Sequence, residues 1–258
     1  MTVPLAVTVT AKQSGRYVVR AREKAQEWGL PFLERPPHTP LEETLGTQAD
    51  ALLVLTGEGW KLHDAQGTIY FSPGMAVVRI KRLGTPLQAE DVLVRLCELK
   101  PGDSVFDGTL GLGSDAQVCA RVVGPTGRVI GVEASLPLYA LASEGLKTPL
   151  FEGSARIEVK HGRAFEVLKT LESHSLECVI FDPMFDLPKS STTSFTMLRR
   201  YALHDPLDEG TLMEARRVAR RWVVVKAGRY GQELERLGLT PLKLTRFKPV
   251  VWARVGPA

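Results

Sequence analysis

Between Ser14 and Leu30 the apolar residues Val18, Ala21, Ala25 and Trp28 return every three or four positions. That spacing lines one face of a helix, and Gly29 is a residue suited to end it. "LAVTVT" (Leu5–Thr10), just before, has the texture of a short strand. "ERPPHTPLEE" (Glu34–Glu43), just after, is broken by prolines and reads as a turn or linker entering a short helix. "ADALLVLT", "GWKLHDAQG" and "TIYFSPG" then read as strands, with a turn at Asp64–Gly67. The pattern predicts a small N-terminal α/β domain over residues 1–86. "FSPGMAVVRIKRLG" (Phe71–Gly84) sets bases beside glycines, as an RNA-docking or lid element would, but is expected to be plain strand and connector.

Near Gln88 the texture changes to a regular alternation that fills residues 87–258. "AEDVLVRLCEL", "DAQVCARVV", "LPLYALASEGL", "AFEVLKTL" and residues 208–220 have helical spacing. "DSVFD", "GRVIGVE", "ARIEVK", "LECVIFD" and "RWVVVKA" are strand-like runs between them. Such alternation predicts an α/β fold: a Rossmann-like, doubly wound, mostly parallel sheet with helices on both faces. "LKLTRF" and "VVWARV" at the end are expected to add an antiparallel edge hairpin. Ligands of such sheets bind outside the carboxyl ends of the strands, near the point where strand order reverses.

Composition narrows the class. The 258 residues suffice for one large domain or two smaller ones, and 44% hydrophobic with 24% charged residues is ordinary for a soluble protein with a sizeable core. No apolar run approaches a membrane span, and "MTVPLAVTVTAKQ" lacks the basic and apolar regions of a signal peptide. Cys97, Cys119 and Cys178 are far apart in apolar patterns, and His38, His63, His161, His174 and His204 show no ligand spacing. Reduced, buried thiols in a cytoplasmic protein without structural zinc are expected. The net charge is +4, yet Arg199–Lys248 holds roughly 12 Lys/Arg against 6 Asp/Glu. "RRY" (Arg199–Tyr201) and "ARRVARRW" (Ala215–Trp222) supply half of those bases. A basic stretch is the footprint of a phosphate-rich partner, and equally of a solvated helix face.

Four strand ends carry candidate chemistry. In "DSVFDGTLGLGSDA", Asp107 closes a strand and Gly108, Gly111 and Gly113 let the backbone turn and approach a ligand closely. Ser114 and Asp115 open the next helix, where Asp115 is also a candidate N-cap. An acid followed by Gly-Thr-Leu before the glycine pair suits a ligand with an amino acid end, whose ammonium group Asp107 or Asp115 can pair directly or through water. Glu133 closes "GRVIGVE" about 20 residues further on, where a carboxylate accepts the hydroxyls of a ribose; this spacing serves S-adenosylmethionine and a nicotinamide dinucleotide alike. Gly162 and Arg163 follow the third strand, where an adenine can be edged, and His161 beside them is expected to be a packing residue. The fourth is "VIFDPMFDLPK" (Val179–Lys189). Pro183 biases Asp182 toward an extended conformation, so the strand is expected to persist to the carboxylate. Asp182 and the Pro183 carbonyl can accept the hydrogens of an exocyclic amine, and Phe185 can stack on the base that bears it. Methyl transfer to such an amine is mainly a matter of positioning, and no metal is required.

"DGTLGLGSDA" together with "FDPMF" resembles the class I S-adenosylmethionine-dependent methyltransferases. More narrowly, residues 88–254 are similar to the bacterial family that methylates the exocyclic N2 of a guanine in small-subunit ribosomal RNA, methyltransferase J. That family pairs a D-A-T-A-G-L-G-x-D-A loop with D-P-M-F and a later V-V-V-K strand; the matching positions are Asp107–Ala116, Asp182–Phe185 and Val223–Lys226. The resemblance implies S-adenosylmethionine as cofactor and S-adenosylhomocysteine as product, with RNA, free or in the small ribosomal subunit, as partner. It implies cofactor contacts at Ser114, Asp115, Glu133, Ala134, Arg163, Ala164 and Asp182, and acceptor contacts from Asp182 to Phe185. The chain departs from the family at Ser114 and Ala134, where the family has arginine, and at Arg163-Ala164, where it has a serine pair. It also carries "DLPKSSTTSFTMLRRY" where the family has a lysine-rich run such as P-H-K-Q-K. A methyltransferase for a protein or small molecule, a nicotinamide-dependent oxidoreductase and a non-catalytic binding module are the competing readings of the same fold.

Overall fold

The computed structural model describes residues 3–10, 15–36, 39–83, 91–184, 193–242 and 250–258. Phe185, His38 and most of "LKLTRF" lie outside them. In the N-terminal part, β1 (Val3–Val9) leads to α1 (Gly15–Glu27), and Ala21, Ala25 and Trp28 are buried as their spacing predicts. A single 3-10 turn at Leu41–Glu43 precedes β2 (Ala49–Thr56), β3 (Gly59–Asp64) and β4 (Gly67–Tyr70). These strands form a sheet in the order β1-β2-β3-β4, with β1 parallel to β2 and the rest antiparallel. The predicted turn closes through Asp64, whose Oδ1 accepts the N–H groups of Gln66 and Gly67 at 2.7 and 3.1 Å. β2 is apolar on both faces because both are covered: Ala51, Leu53 and Leu55 join Trp28 and Trp60, while Leu52 and Val54 meet Leu33, Leu41 and Leu45.

After α2 (Gly74–Arg82) come α3 (Val92–Cys97), β5 (Ser104–Asp107), α4 (Ser114–Val123), β6 (Arg128–Glu133), α5 (Leu136–Gly145), β7 (Ile157–His161), α6 (Ala164–Lys169) and β8 (Leu176–Phe181). Then follow α7 (Thr193–Tyr201), α8 (Glu209–Val218), β9 (Ala219–Gly228), α9 (Gln232–Arg236) and β10 (Val250–Val255). The second sheet runs β10-β9-β8-β5-β6-β7, parallel except for the β9–β10 edge pair, which is antiparallel as expected. Leu242 bridges to Trp252 on the outer side of β10. Period-two alternation divides the core. Phe106, Val179, Phe181, Val223 and Val225 face α6, α8 and α9, whereas Val105, Cys178, Ile180 and Val224 face α3, α4 and α5. The three cysteines are free and buried on this second face. Strand order reverses between β5 and β8, which places the switch point between Asp107 and Asp182. No helix among the described residues is long and apolar enough to cross a membrane.

The structure corrects three local expectations. Gly74–Arg82 is a helix, not strand and connector: Ala76 and Ile80, four apart, bury against Val118 of α4, and this docking overrides the β-branched local sequence. Asp115 is not the N-cap of α4; Gly113 occupies that position at φ 78. β8 ends at Phe181, because the Asp182 N–H turns out of the ladder to the Thr109 hydroxyl at 2.6 Å.

The two sheets share a core. Ala140 and Leu141 of α5 and Met197 of α7 pack with the N-terminal apolar cluster. Glu144 of α5 is clasped by Arg20 and Lys24 of α1 and by Lys147. Burial alone would raise its carboxyl, but these three cations outweigh burial and hold it down at about 2. Phe71 lies flat against Gly145, where an added Cβ would sit 2.0 Å from the ring. Alanine in place of a helical glycine ordinarily stabilises by up to about 1 kcal/mol, while overpacking costs about 1–3 kcal/mol. Gly145→Ala is therefore expected to lower the melting temperature, and Phe71→Leu in the same chain to restore part of the loss. A Gly145→Ala protein with a raised melting temperature would show that Phe71 does not constrain α5.

Candidate active site

The carboxyl ends of β5, β6, β8 and β9 converge, and each carries an ionisable side chain: Asp107, Glu133, Asp182 just past β8, and Lys226. Hydrogen bonds through the glycine loop tie these ends together. Gly108 N–H donates to the Ile180 carbonyl at 2.9 Å and Leu110 N–H to Val132 at 3.0 Å. Thr109 donates its N–H to Asp107 Oδ1 at 3.1 Å while its hydroxyl receives the Asp182 N–H. A Cβ on Gly108 would stand 2.2 Å from the Phe181 ring, so only glycine lets β5 leave the sheet beside that aromatic. Gly111, at φ 53, has open space where its Cβ would be, and it donates its N–H to Glu133 Oε2 at 2.8 Å.

Glu133 is buried, and its other oxygen accepts the Ser135 N–H at 2.7 Å. Burial raises its carboxyl above the ordinary range, though both amides oppose the shift. Each oxygen keeps a lone pair for a ribose hydroxyl. Ala134 follows half-buried, and its carbonyl meets His161 Nε2 at 3.3 Å. The His161 ring stacks on Tyr139 with centroids 4.9 Å apart, the packing role expected of it. Gly162 N–H donates to the Glu133 carbonyl at 3.0 Å, so the end of β7 is fixed to that of β6. Arg163 is exposed and pairs with Asp205 at 2.6 Å. Ser114 lies half-buried in the first turn of α4, and Pro183 is buried directly behind Asp182.

The centre of the site is a charge network. Lys226 Nζ donates to Asp182 Oδ2 at 2.5 Å and lies 3.5 Å from Asp115 Oδ2. Arg79 of α2 pairs with Asp115 and makes a two-pronged contact with Asp91, at 2.7 and 3.1 Å. Asp91 in turn caps α3 through Leu93 and Val94 N–H. Burial works against charge on Asp107, Asp115 and Asp182, and nearby cations oppose it to different extents. For Asp115, Lys226 and Arg79 outweigh burial and hold the carboxyl below its ordinary value. For Asp182, burial wins over Lys226, with the Asp115 charge adding to the rise. Asp107 has no cation; burial first, then the neighbouring carboxylates, push it up to about 8. At neutral pH Asp115 is therefore the ionised partner for an ammonium group, and Asp107 holds a proton.

Sequence reasoning located Asp107, Asp115, Glu133 and Asp182, matched Lys226 only as the last residue of the V-V-V-K strand with no role assigned, and did not single out Arg79. Lys226 had a signal, a polar residue at the end of a buried strand, the same mark that exposed Asp182. Arg79 had none, since it arrives from a segment read as connector. The arginines of "ARRVARRW" prove to be elsewhere. Arg217 holds the Leu168 and Leu171 carbonyls, Arg220 pairs with Glu177, and Arg221 pairs with Asp103. They tie the amino ends of the strands, at the edge opposite the site, and do not form a footprint beside it.

Carboxyl groups gathered at the strand ends, an open position at Gly111 and a buried ribose-type carboxylate fit S-adenosylmethionine, whose sulfonium and ammonium groups outweigh its carboxylate. The chain is an S-adenosylmethionine-dependent methyltransferase. Residues 43–247 match a family model described as "Putative SAM-dependent methyltransferase", and the chain belongs to that family. It is 35% identical to the uncharacterized protein YpiP of Bacillus subtilis over 92% of this chain and 94% of that one. It is 31% identical to the ribosomal RNA small subunit methyltransferase J of Shewanella amazonensis, over 59% of this chain and 65% of that one. The crystal structure of an S-adenosylmethionine-dependent methyltransferase from Neisseria gonorrhoeae shares the fold, with a TM-score of 0.66 at 20% identity over 98% of this chain and 96% of that one.

The proton on Asp107 has a measurable consequence. Between the ordinary carboxyl value of 3.8 and about 8, the folded state keeps a proton that the unfolded chain has lost. The contribution of Asp107 to stability therefore falls as pH rises through that window. Asp107→Asn removes this dependence: denaturant midpoints from pH 5 to 9 should decline less in the variant than in the wild type. Parallel profiles would mean that Asp107 is ionised throughout.

Proposed function

We propose that this methyltransferase acts on an exocyclic base amine in RNA, with guanine N2 of small-subunit ribosomal RNA as the target, and that it works in the cytoplasm. The observation that carries the reading is Asp182: it stands at the switch point, joined to the glycine loop through Thr109 and to β9 through Lys226. The Shewanella amazonensis relative, a ribosomal RNA small subunit methyltransferase, supports an RNA substrate, and the D-P-M-F stretch supports the amine acceptor. The division into a domain of residues 1–86 and a methyltransferase domain of residues 87–258 belongs to this proposal.

In the proposed arrangement Gly111 leaves room for the cofactor, while Gly108 and Gly113, packed on Phe181 and Leu146, let the loop turn beside it, with Ser114 and Asp115 at its amino acid end. Glu133 and Ala134 meet the ribose, and Gly162 and Arg163 edge the adenine. Bound there, S-adenosylmethionine supplies a methyl carbon on a sulfonium sulfur; the amine lone pair forms the N–C bond, the S–C electron pair stays on sulfur, and the nitrogen releases a proton. Asp182 and the Pro183 carbonyl orient the amine by accepting its hydrogens, and the Asp182 carboxylate then takes up that proton. Phe185, three residues on, is assigned the base face by the sequence alone.

Tyr230 adds support. It lies two residues past β9, beside the carboxyl edge, 79% exposed, with Arg229 over its ring at 5.9 Å. An exposed aromatic–arginine pair beside a transfer site suits stacking on an unpaired base.

The direct test is methyl transfer from labelled S-adenosylmethionine to ribosomal RNA, small subunits and ribosomes from a strain lacking the enzyme. Label in an N2-methylguanine is expected; label only in protein or small molecules would refute the RNA reading. Asp182→Asn should lose turnover while binding of S-adenosylhomocysteine changes at most modestly. Tyr230→Ala should raise KM for RNA about 5- to 150-fold, the worth of roughly 1–3 kcal/mol of stacking. Tyr230→Phe should behave as the wild type. Equal KM values for all three proteins would remove Tyr230 from the interface.

A further inference from the structure

Lys226 is held from two sides. Its ammonium bonds Asp182 from one strand over and lies against Asp115 from the first turn of α4, and the Trp252 ring of β10 covers it at 5.1 Å. Only a fifth of its side chain is exposed, so the cation has given up most of its water for these two carboxylates. Asp115 is shared further, with Arg79 of α2, which Asp91 holds in place. The result is an alternating chain, Arg79–Asp115–Lys226–Asp182, that crosses four elements and ends on the carboxylate proposed to face the acceptor.

We infer that Lys226 is a positioning residue of the transfer: its ammonium binds Asp182 Oδ2, which fixes one rotamer and favours the carboxylate against the burial that opposes it, so that Oδ1 is left to the acceptor amine. This rests on the reading of Asp182 given above. The acceptor nitrogen gains a methyl carbon and must lose a proton, and only an ionised Asp182 can take it. Among the described residues, the other charged groups that bear on Asp182 are the Asp115 carboxylate, which raises it, and Arg79, which is already paired with Asp115 and Asp91. The Thr109 hydroxyl contacts only its backbone N–H. Lys226 is thus the one direct cationic contact of Asp182 among the described residues. Asp115 has the opposite effect: it competes for the same ammonium and adds a negative charge nearby.

The network therefore predicts a pattern of signs. In Lys226→Met, with Lys226→Gln as a second variant should the first fold poorly, Asp182 should take up its proton at higher pH. The acid limb of kcat/KM should move up by at least one pH unit, about tenfold in rate at a fixed pH on that limb, and approach the wild-type plateau in alkali. Lys226→Arg should keep the acid limb near its wild-type position. Asp115→Asn should move Asp182 the other way, toward lower pH. The decisive readout needs no acceptor: the Asp182 carboxyl carbon, followed by 13C NMR across pH, in the wild type, the Lys226 variants and Asp115→Asn. The expected order of titration midpoints is Lys226→Met above wild type above Asp115→Asn. An Asp182 titration unmoved by loss of Lys226, or a lowered rate plateau with an unshifted acid limb, would overturn the inference. A wild type that labels no RNA while the NMR order holds would instead refute the RNA reading and leave the role of Lys226 toward Asp182 standing.

Discussion

Among the described residues, two cations stand amid five carboxyl groups at the carboxyl edge of the six-stranded sheet and pair with three of them. Arg79 and Lys226 stand among Asp91, Asp107, Asp115, Glu133 and Asp182. Burial disfavours charge on each of them, so the arrangement exists only because the cations are shared and the remaining carboxyls take backbone amides or a proton. Much else follows from this constraint. The glycine loop must run close enough for the Gly111 amide to reach Glu133. β9 must carry a lysine near its carboxyl end, directly beside β8. α2 must dock on α4 so that Arg79 arrives at Asp115. The surplus of carboxyl groups leaves the edge poised for a ligand that brings positive charge, which is the chemical character of a sulfonium bearing an ammonium group.

The N-terminal sheet participates in this edge and does not merely sit next to it. α2, which follows its last strand, carries Arg79. Phe71, on the connector before α2, is seated on Gly145, and Glu144 one residue earlier is clasped by two cations of α1. On the far side, the Tyr201 hydroxyl donates to Asp64 Oδ2 at 2.9 Å, from the end of α7 to the β3–β4 turn. Burial and the adjacent Asp64 carboxylate both raise the Tyr201 phenol, which keeps it a donor. The same Asp64 oxygens thus close a hairpin turn and fasten a helix of the other half of the chain.

What the sequence made legible is what depends on local period. The strands β5 to β9 and the helices between them, α7 excepted, could be read because a strand buried on both faces is a near-continuous apolar run and its acidic terminus stands out against it. Asp107, Glu133 and Asp182 were found by that contrast. Residues whose role depends on tertiary approach were not. Arg79 lies 36 positions from the aspartate it pairs with, in a stretch whose valines and isoleucine favour a strand until α4 buries one face of it as a helix. The charge surplus of Arg199–Lys248 left two readings open for the same reason: counting bases says nothing about which end of a strand they occupy, and Arg217, Arg220 and Arg221 satisfy carbonyls and carboxylates at the end away from the site.

The clasp between Tyr201 and Asp64 bears on how such a scaffold changes its acceptor. Residues 185–192 run between two fixed posts, the buried Pro183 on one side and a helix pinned to the N-terminal sheet on the other. Each post has its own anchor: Pro183 is buried behind Asp182, and Tyr201 of α7 bonds Asp64 of the N-terminal sheet. The departure of "DLPKSSTT" from the lysine-rich run of the ribosomal RNA relatives is the kind of variation such an architecture permits.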